Sequence, residues 1–200
     1  MRLDSGALVA RGLVTRALWQ EVVGADPAFG AAEAGGAVER VNLVDAAVFA
    51  NMLSRRDALS PCYEVRCQSL AEAGAPRLLT ISELAAVLAK GRACPQNAPW
   101  CIDVRPCEVI RTSEACGYRL PTMAEWEGLV ASGEPRVEVG ALAELAWPDR
   151  QRVTQDEVSP VLGASWLTSP SAPAMRSAPT RIGLRAFNVG FRLALDAEVP

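Results

Sequence analysis

The chain has 200 residues, half of them hydrophobic, and a formal net charge of −3. This size and apolar content predict one domain, spanning 1–200, with a sizeable core. Because acidic and basic residues are interspersed and no apolar run is long enough to cross a bilayer, neither nucleic acid binding nor a membrane span is expected. Histidine is absent, which excludes Ser-His-Asp and Cys-His catalytic sites and metal sites that need imidazole.

Capping residues predict three helices in the first half of the chain. A helix over 15–23 is expected between the N-cap Thr15 and Gly24, a residue suited to the left-handed end of a helix. Asn42 is positioned to cap a second helix, in which apolar residues follow a helical period. The run TISE at 80–83 is a capping box that predicts a third helix, over 81–90.

Strands and loops are predicted from alternation and composition. Alternating or apolar segments predict five strands, over 63–66, 107–111, 136–139, 161–166 and 191–195. The Ala/Leu-rich run 141–147 predicts a helical turn, and the polar run 149–156 predicts a surface loop. The run 167–189 is rich in Ser, Pro and Ala, which predicts a long irregular loop.

Six cysteines occur in the middle of the chain, at Cys62, Cys67, Cys94, Cys101, Cys107 and Cys116. An even number in one loop-rich segment predicts disulfides and an oxidising compartment, periplasmic or extracellular. The working hypothesis is a nearest-neighbour scheme, which pairs Cys62 with Cys67, Cys94 with Cys101 and Cys107 with Cys116. Zinc binding is the alternative, but the spacings are wider than in a Cys-x-x-Cys site. Residues 1–20 show no signal-peptide pattern, so a cytoplasmic location with reduced thiols is a second alternative.

The segment 117–127 reads GYRLPTMAEWE and starts a fourth predicted helix. Thr122 and Glu125 form a capping box, in which each side chain accepts a hydrogen bond from the other residue's backbone N–H. Arg119 is expected to form a buried ion pair with Glu125 or Glu127.

This motif resembles the signature of the formylglycine-generating enzyme family, also called the sulfatase-modifying-factor domain. Residues 163–166 (GASW) are similar to the family's Gly-Gly-Ser-Trp, and residues 190–193 (GFRL) match its closing Gly-Phe-Arg. The resemblance implies an α+β, C-type-lectin-like fold with short twisted antiparallel strands, two main helices and long irregular loops. It leaves 68–107 as a helical, Cys-rich insertion. The motif residues expected to be structural are Arg119, Thr122, Glu125, Trp126, Trp166 and Phe191.

The chemistry of the family depends on residues that this chain lacks. The enzymes oxidise a substrate cysteine with molecular oxygen, using a copper(I) ion held by two cysteines, because soft thiolates suit a soft metal. The matching positions fall near Thr168 and Pro173. The family's calcium motif, Gly-Asn-Val-x-Glu-Trp, resembles 140–145, but Ala141 replaces the asparagine and Leu145 the tryptophan. No copper, calcium or other cofactor is therefore expected, and no catalytic residue is assigned.

Because the chain resembles this family but lacks its copper ligands, we predict a pseudoenzyme. It would be a non-catalytic module that binds a protein or small-molecule ligand through the loop 167–189. Arginine and aromatic residues are common in binding surfaces. The candidate ligand-binding residues are Arg176, Thr180, Arg181, Arg185, Phe187 and Asn188. A first alternative is a variable protein of a diversity-generating retroelement, whose diversified segment also resembles the GASW to GFRL region. The others are a copper-dependent formylglycine-generating oxidase with relocated ligands and a structural envelope subunit. No oligomeric state is predicted.

Overall fold

The computed structural model describes residues 1–3, 6–27, 35–69, 78–89, 98, 100–112, 116–134, 142–165 and 179–196. Over these ranges there are four helices: α1 (Arg16–Val23), α2 (Leu43–Arg56), α3 (Ile81–Ala89) and α4 (Met123–Ala131). The twelve strands are β1 (Leu8–Val9), β2 (Tyr63–Cys67), β3 (Trp100–Ile102), β4 (Cys107–Arg111), β5 (Ala143–Leu145), β6 (Arg152–Thr154), β7 (Val158–Ser159), β8 (Val161–Leu162), β9 (Thr180–Arg181), β10 (Leu184–Ala186), β11 (Val189–Phe191) and β12 (Ala194–Leu195).

All four predicted helices are present, and their capping residues explain where they begin. The Thr15 hydroxyl accepts a hydrogen bond from the Leu18 N–H at 3.1 Å, and Gly24 ends α1 with a φ of 88°. Asn42 starts α2 through a reciprocal capping box with Asp45. The capping boxes that start α3 and α4 are Thr80 with Glu83 and Thr122 with Glu125.

The strands form five small sheets. In two of them three strands join, in the orders β2-β4-β6 and β11-β5-β8, and the pairs β1-β12, β3-β10 and β7-β9 form the others. All pairs are antiparallel except β11 with β5. The first sheet joins α2 to the second half of the chain, because β2 follows that helix and β6 pairs with β4.

Several predicted segments have a different structure. The helical turn predicted over 141–147 is wrong, because this region contains β5, whose three residues are buried and pair on both sides. The surface loop predicted over 149–156 contains β6, which extends the β2-β4 sheet. The part of 167–189 that is described, from 179 onward, contains β9, β10 and the start of β11 rather than irregular structure. The predicted strand 136–139 lies outside the described residues.

The two other predicted strands are shorter than expected. Gly163, with a φ of 78°, ends the strand predicted over 161–166 after Leu162. The strand predicted over 191–195 is divided between β11 and β12, which belong to different sheets.

Three aromatic rings form the centre of the core. Trp19 and Phe49 are stacked with their ring centroids 5.0 Å apart, and Phe191 meets Phe49 edge-on at 5.5 Å. The rings come from α1, α2 and β11, so they fix both helices against the second half of the chain. Gly190 allows β11 to pass close to the segment before α2, because a Cβ there would lie 2.7 Å from the carbonyl oxygen of Val38.

A buried ion pair joins β5 to the segment after β11. The guanidinium of Arg192 donates to both carboxylate oxygens of Glu144, and both side chains are at most 1% exposed. A third nitrogen, Nη1, donates to the carbonyl oxygens of Ala10 and Arg11 at 3.0 and 2.8 Å. Glu144 therefore compensates a charge that also organises the first residues of the chain.

One disulfide cross-links β2 to β4 and a second joins the segments that flank these strands, and the two bonds correct the nearest-neighbour scheme. Cys62 is bonded to Cys116, and Cys67 to Cys107, which is its register partner in the antiparallel pair. Cys62 and Cys67 cannot bond to each other, because the extended strand between them holds them about 16 Å apart. Cys101 is also disulfide-bonded, and Cys94 lies outside the described residues. The two bonds are consistent with a non-cytoplasmic location.

Removing the charge of Glu144 should destabilise the protein strongly. Glu144→Gln keeps the shape of the side chain but removes the carboxylate charge that binds the buried guanidinium of Arg192, so we expect a loss of about 3–5 kcal/mol in the free energy of unfolding. Urea denaturation monitored by circular dichroism measures it. The matched control is Glu64→Gln, which removes an ion pair with Arg66 whose side chains are both 46% exposed, and it should cost less than about 1 kcal/mol. Equal losses in the two variants would contradict this account.

The disulfide pattern predicts the mass-spectrometric map of the unreduced protein. Alkylation after denaturation should modify no cysteine without reductant, and non-reduced digests should contain peptides that link Cys62 to Cys116 and Cys67 to Cys107. Each bond closes a loop of 40 residues or more, so reduction should lower the stability by roughly 4 kcal/mol for one bond. Peptides linking Cys62 to Cys67 would show that this connectivity is wrong.

Candidate functional site

The candidate ligand-binding residues that the structure describes are close together in the chain but differ in exposure. Thr180 and Arg181 form β9, Arg185 is the middle residue of β10, and Phe187 and Asn188 follow it. Arg181 is exposed, whereas Thr180, Phe187 and Asn188 are half-buried. Arg176 lies outside the described residues, as do Trp166, Thr168 and Pro173.

Arg185 points into the protein, which corrects its assignment as a ligand-binding residue. Its side chain is 1% exposed, and its Nη2 donates to Asp45 Oδ1 at 2.7 Å and to Asp103 Oδ2 at 3.0 Å. Its Nε also donates to Asp45. Strand alternation turns this residue inward between Leu184 and Ala186, and two carboxylates compensate its charge there.

A network of four ionised side chains lies beneath β3 and β10. Asp45 joins it from the capping box of α2, and Arg105 donates to Asp103 through Nε at 2.8 Å. Burial by itself raises the pKa of Asp103, but the hydrogen bond from Arg105 and the charge of Arg185 outweigh it and lower the pKa to about 2. Burial opposes the charge of Arg185, yet the two carboxylates raise its pKa above the ordinary value. Asp103 and Arg185 therefore remain ionised at neutral pH.

The opposite side of the same two strands is apolar. Its β3 residues are exposed, whereas Leu184 and Ala186 on β10 are half-buried and Ala186 also packs against the core. In the β3-β10 pair, Ala186 lies opposite Trp100 and Leu184 opposite Ile102, so these side chains share one face. Trp100 is 58% exposed, Ile102 43% and Val104, just beyond the strand, 67%. We call the surface formed by these five residues the ribbon face. Large apolar side chains exposed together on one surface are typical of binding sites.

The turn before β10 is fixed to the rest of the protein by close backbone contacts. The Asp103 N–H donates to the Gly183 carbonyl oxygen at 2.9 Å, and Asn42 Nδ2 donates to the same oxygen at 3.3 Å. A Cβ on Gly183 would lie 2.5 Å from the carbonyl oxygen of Asp103, so only glycine fits. The ribbon face is therefore attached to the start of α2 and does not hang from a free loop.

The residues after β10 connect the GASW segment to the core. Asn188 Nδ2 donates to Ser165 Oγ at 3.1 Å, and the Asn188 carbonyl oxygen accepts from the Ala143 N–H at 2.9 Å. The amide of Asn188 thus has a structural partner at the end of the described GASW residues. Thr180, Arg181 and Phe187 stay predicted as ligand contacts.

The GYRLPT motif forms an ion-paired cluster below α4. Arg119 donates to both oxygens of Glu125 at 2.7 Å and also contacts Asp196, so Glu125 is the partner present rather than Glu127. Burial opposes the charge of Arg119, but the two carboxylates raise its pKa above the ordinary value. Burial also raises the pKa of Glu125, but the hydrogen bond from Arg119 outweighs it and lowers that pKa below the ordinary value. Trp126 and Phe191 are core residues that are almost fully buried.

The described ranges contain no group of three or more Cys, Asp or Glu residues arranged to hold a metal ion. Glu144, the one carboxylate within the segment that resembles the calcium motif, is engaged by Arg192. In the same part of the chain no helix is both long and apolar enough to cross a membrane.

Comparison with known proteins identifies the fold. No protein-family model matches the sequence, and no curated protein sequence matches it. Among solved structures, Treponema denticola variable protein 1 superposes with a TM-score of 0.64 at 21% identity, over 95% of this chain and 84% of its own. CarF superposes with a TM-score of 0.54 at 16% identity, over 95% of this chain and 86% of its own. The fold is C-type-lectin-like. Membership of the formylglycine-generating enzyme family stays a prediction.

In this C-type-lectin-like domain the ribbon face joins two segments that are distant in sequence. The predicted insertion 68–107 supplies β3, and the predicted binding segment 167–189 supplies β10. Trp100, Ile102 and Val104 were not predicted as site residues, although the WCIDV run at 100–104 alternates as a strand does. That alternation was the available signal, and it lies within the Cys-rich region that the sequence interpretation treated as an insertion.

The ion network predicts a change in the acid stability of the domain. The folded pKa of Asp103, about 2, is below its ordinary value of 3.8, so the ionised carboxylate stabilises the fold above about pH 4. This contribution, roughly 2 kcal/mol, should disappear as the pH falls through about 2. Asp103→Asn should be less stable than the unsubstituted protein at pH 7 and should lose less stability between pH 4 and pH 2, as measured by urea unfolding. Asp149→Asn, at an exposed position, is the control and should leave the pH profile unchanged.

Proposed function

We propose that this domain is a non-catalytic binding module that recognises a protein partner outside the cytoplasm through the ribbon face. The observation that carries the proposal is the exposure of Trp100, Ile102 and Val104 on a strand that is fixed from below by buried ion pairs. A rigid scaffold that presents apolar side chains loses little conformational entropy on binding, which favours affinity.

The shape and chemistry of the ribbon face favour a protein over a small molecule. It is the outer surface of a two-stranded sheet, whereas small ligands are usually enclosed in concave pockets. Tryptophan is among the residues that contribute most to protein interfaces, and Trp100 is exposed on this apolar strip.

The chemistry of the described side chains supports a non-catalytic role. The acids and bases nearest the ribbon face, Asp45, Asp103, Arg105 and Arg185, form ion pairs with one another, and all but the half-buried Asp103 are buried. The cysteines of β2 and β4 are disulfide-bonded, and a cysteine nucleophile or copper ligand needs a free thiolate.

A second candidate function is that of a variable protein of a diversity-generating retroelement. It is favoured by the structural similarity to Treponema denticola variable protein 1, together with the GASW to GFRL resemblance. Sequencing the locus in independent isolates tests it. Diversification would be concentrated at exposed positions such as Arg181, and Gly183 and Arg185 would be constant because their places in the fold require them. Uniform sequences across isolates would reject this candidate.

Replacing the exposed tryptophan should abolish partner binding without affecting the fold. A photo-crosslinking amino acid at Ile102 is expected to give a discrete protein adduct in an envelope extract of the source organism. Trp100→Ser should weaken binding of the purified partner about 30-fold, because truncating a central interface tryptophan costs about 2 kcal/mol or more. Its unfolding midpoint should be unchanged, since the side chain is 58% exposed.

The control places the same crosslinker at Arg152, which is 64% exposed on β6. Identical adducts at both positions, or undiminished binding by Trp100→Ser, would refute the ribbon face as the binding site. Incubation with copper(I), oxygen and a cysteine-containing sulfatase peptide tests the oxidase alternative directly. Formylglycine formation would show that the domain is an enzyme.

A further inference from the structure

A cavity of about 480 Å³ lies away from the ribbon face, where β4 ends. It is lined by Arg111 and Thr112 from this end of β4, by Thr122 from the start of α4 and by the segment 147–151. Its volume is within the range of small-molecule sites. Neither the predicted binding segment nor the family resemblance assigns a role to it.

Hydrogen bonds hold the walls of the cavity in place. The Arg111 N–H donates to the Gln151 carbonyl oxygen at 2.8 Å, which fastens the segment 147–151 to β4. The indole Nε1 of Trp147 donates to the Arg150 carbonyl oxygen at 2.9 Å and closes the same segment on itself. The Trp147 ring also packs on Tyr63 with centroids 4.9 Å apart. The cavity is therefore preformed, and a ligand would not have to order its walls.

Arg111 brings hydrogen-bonding capacity to the cavity that the described part of the chain does not use. Its side chain is 17% exposed. Its Nε is buried and has no hydrogen-bond acceptor among the described residues. The ion pair nearest to it is long, 3.9 Å from Nη2 to Asp196 Oδ2, and the other oxygen of that carboxylate accepts from Arg119. A guanidinium has five donors in one plane, so this one can still bind an anion.

The charge and composition of the lining define the class of ligand. The lining contains two arginines, Arg111 and Arg150, and one carboxylate, that of Asp149, so it has a net positive charge. Arg150 is partly neutralised by Glu157, with 2.6 Å between Nη1 and Oε1, which leaves Arg111 as the principal anion-binding group. Trp147 and Pro148 supply the apolar part of the lining.

We propose that this cavity binds a small organic carboxylate. The carboxylate contacts the guanidinium of Arg111, whose planar arrangement of donors matches the two oxygens, and the apolar body of the ligand lies against Trp147 and Pro148. This site is separate from the ribbon face, so the two binding events are independent proposals.

Benzoate is a suitable probe, with benzamide as its uncharged counterpart, in ¹H–¹⁵N NMR titrations of the full chain. Benzoate should shift the Trp147 indole and Gln151 amide resonances in a saturable way, and benzamide should shift them much less. Arg111→Gln should weaken benzoate binding at least tenfold. Arg152→Gln, which removes an exposed arginine of the neighbouring strand, should leave the affinity unchanged.

Three results would overturn the proposal. They are equal shifts with benzoate and benzamide, shifts that do not saturate and extend to surface arginines in general, and an unchanged affinity in Arg111→Gln. Should Arg111→Gln fail to fold, the comparison of the two probes on the unsubstituted protein decides the question by itself. Loss of partner binding in Trp100→Ser would not affect these outcomes.

Discussion

The position of the ribbon face depends on the buried guanidinium of Arg185. Desolvating that charge costs several kcal/mol, and only carboxylates in the right places offset it. They come from Asp45 at the start of α2 and from Asp103 just after β3, which are far apart in the chain. Since all three segments must meet for the charge to be compensated, the ion pairs favour one arrangement of α2, β3 and β10 over any other compact arrangement. Arg192 and Glu144 have the same effect on β5 and the first residues of the chain.

Because side chains alternate along a strand, the inward direction of the ion-paired residues also decides which residues are exposed. Because Cys101, Asp103 and Arg185 face inward, Trp100, Ile102 and Val104 must face outward. In many small sheets the apolar side packs on the core and the polar side meets solvent. Here the polar side is internal and ion-paired, so Trp100, Ile102 and Val104 on the other side are exposed to solvent.

Local signals predicted the helices well, and pairing between distant segments explains what was missed. Thr15, Asn42 and Thr122 specify helix starts within a few residues of sequence, without help from the tertiary fold. Strands of two or three residues carry a weaker local signal, and most of them form only because a distant segment pairs with them. The segment at Glu144 is an example, because a buried glutamate is unfavourable in a central strand unless Arg192 lies beside it.

The candidate site shows the same limit of sequence reasoning. The sequence predicted an irregular loop over 167–189, whereas its described part, from 179 onward, contributes β10 to the ribbon face. Whether Arg185 faces solvent or the interior depends on the register with β3, which composition does not reveal. The inward direction follows only when the two strands are paired and Asp45 is placed beneath them.

The nested disulfides have a consequence for how the protein is made. In an unfolded chain, cysteines close in sequence such as Cys62 and Cys67 meet far more often than pairs 40 or 54 residues apart. Rapid oxidation would therefore trap non-native bonds that have to be exchanged before β2 can pair with β4. The yield of correctly folded protein should depend on a disulfide isomerase, or on a redox buffer that allows reshuffling, more than on the strength of the oxidant.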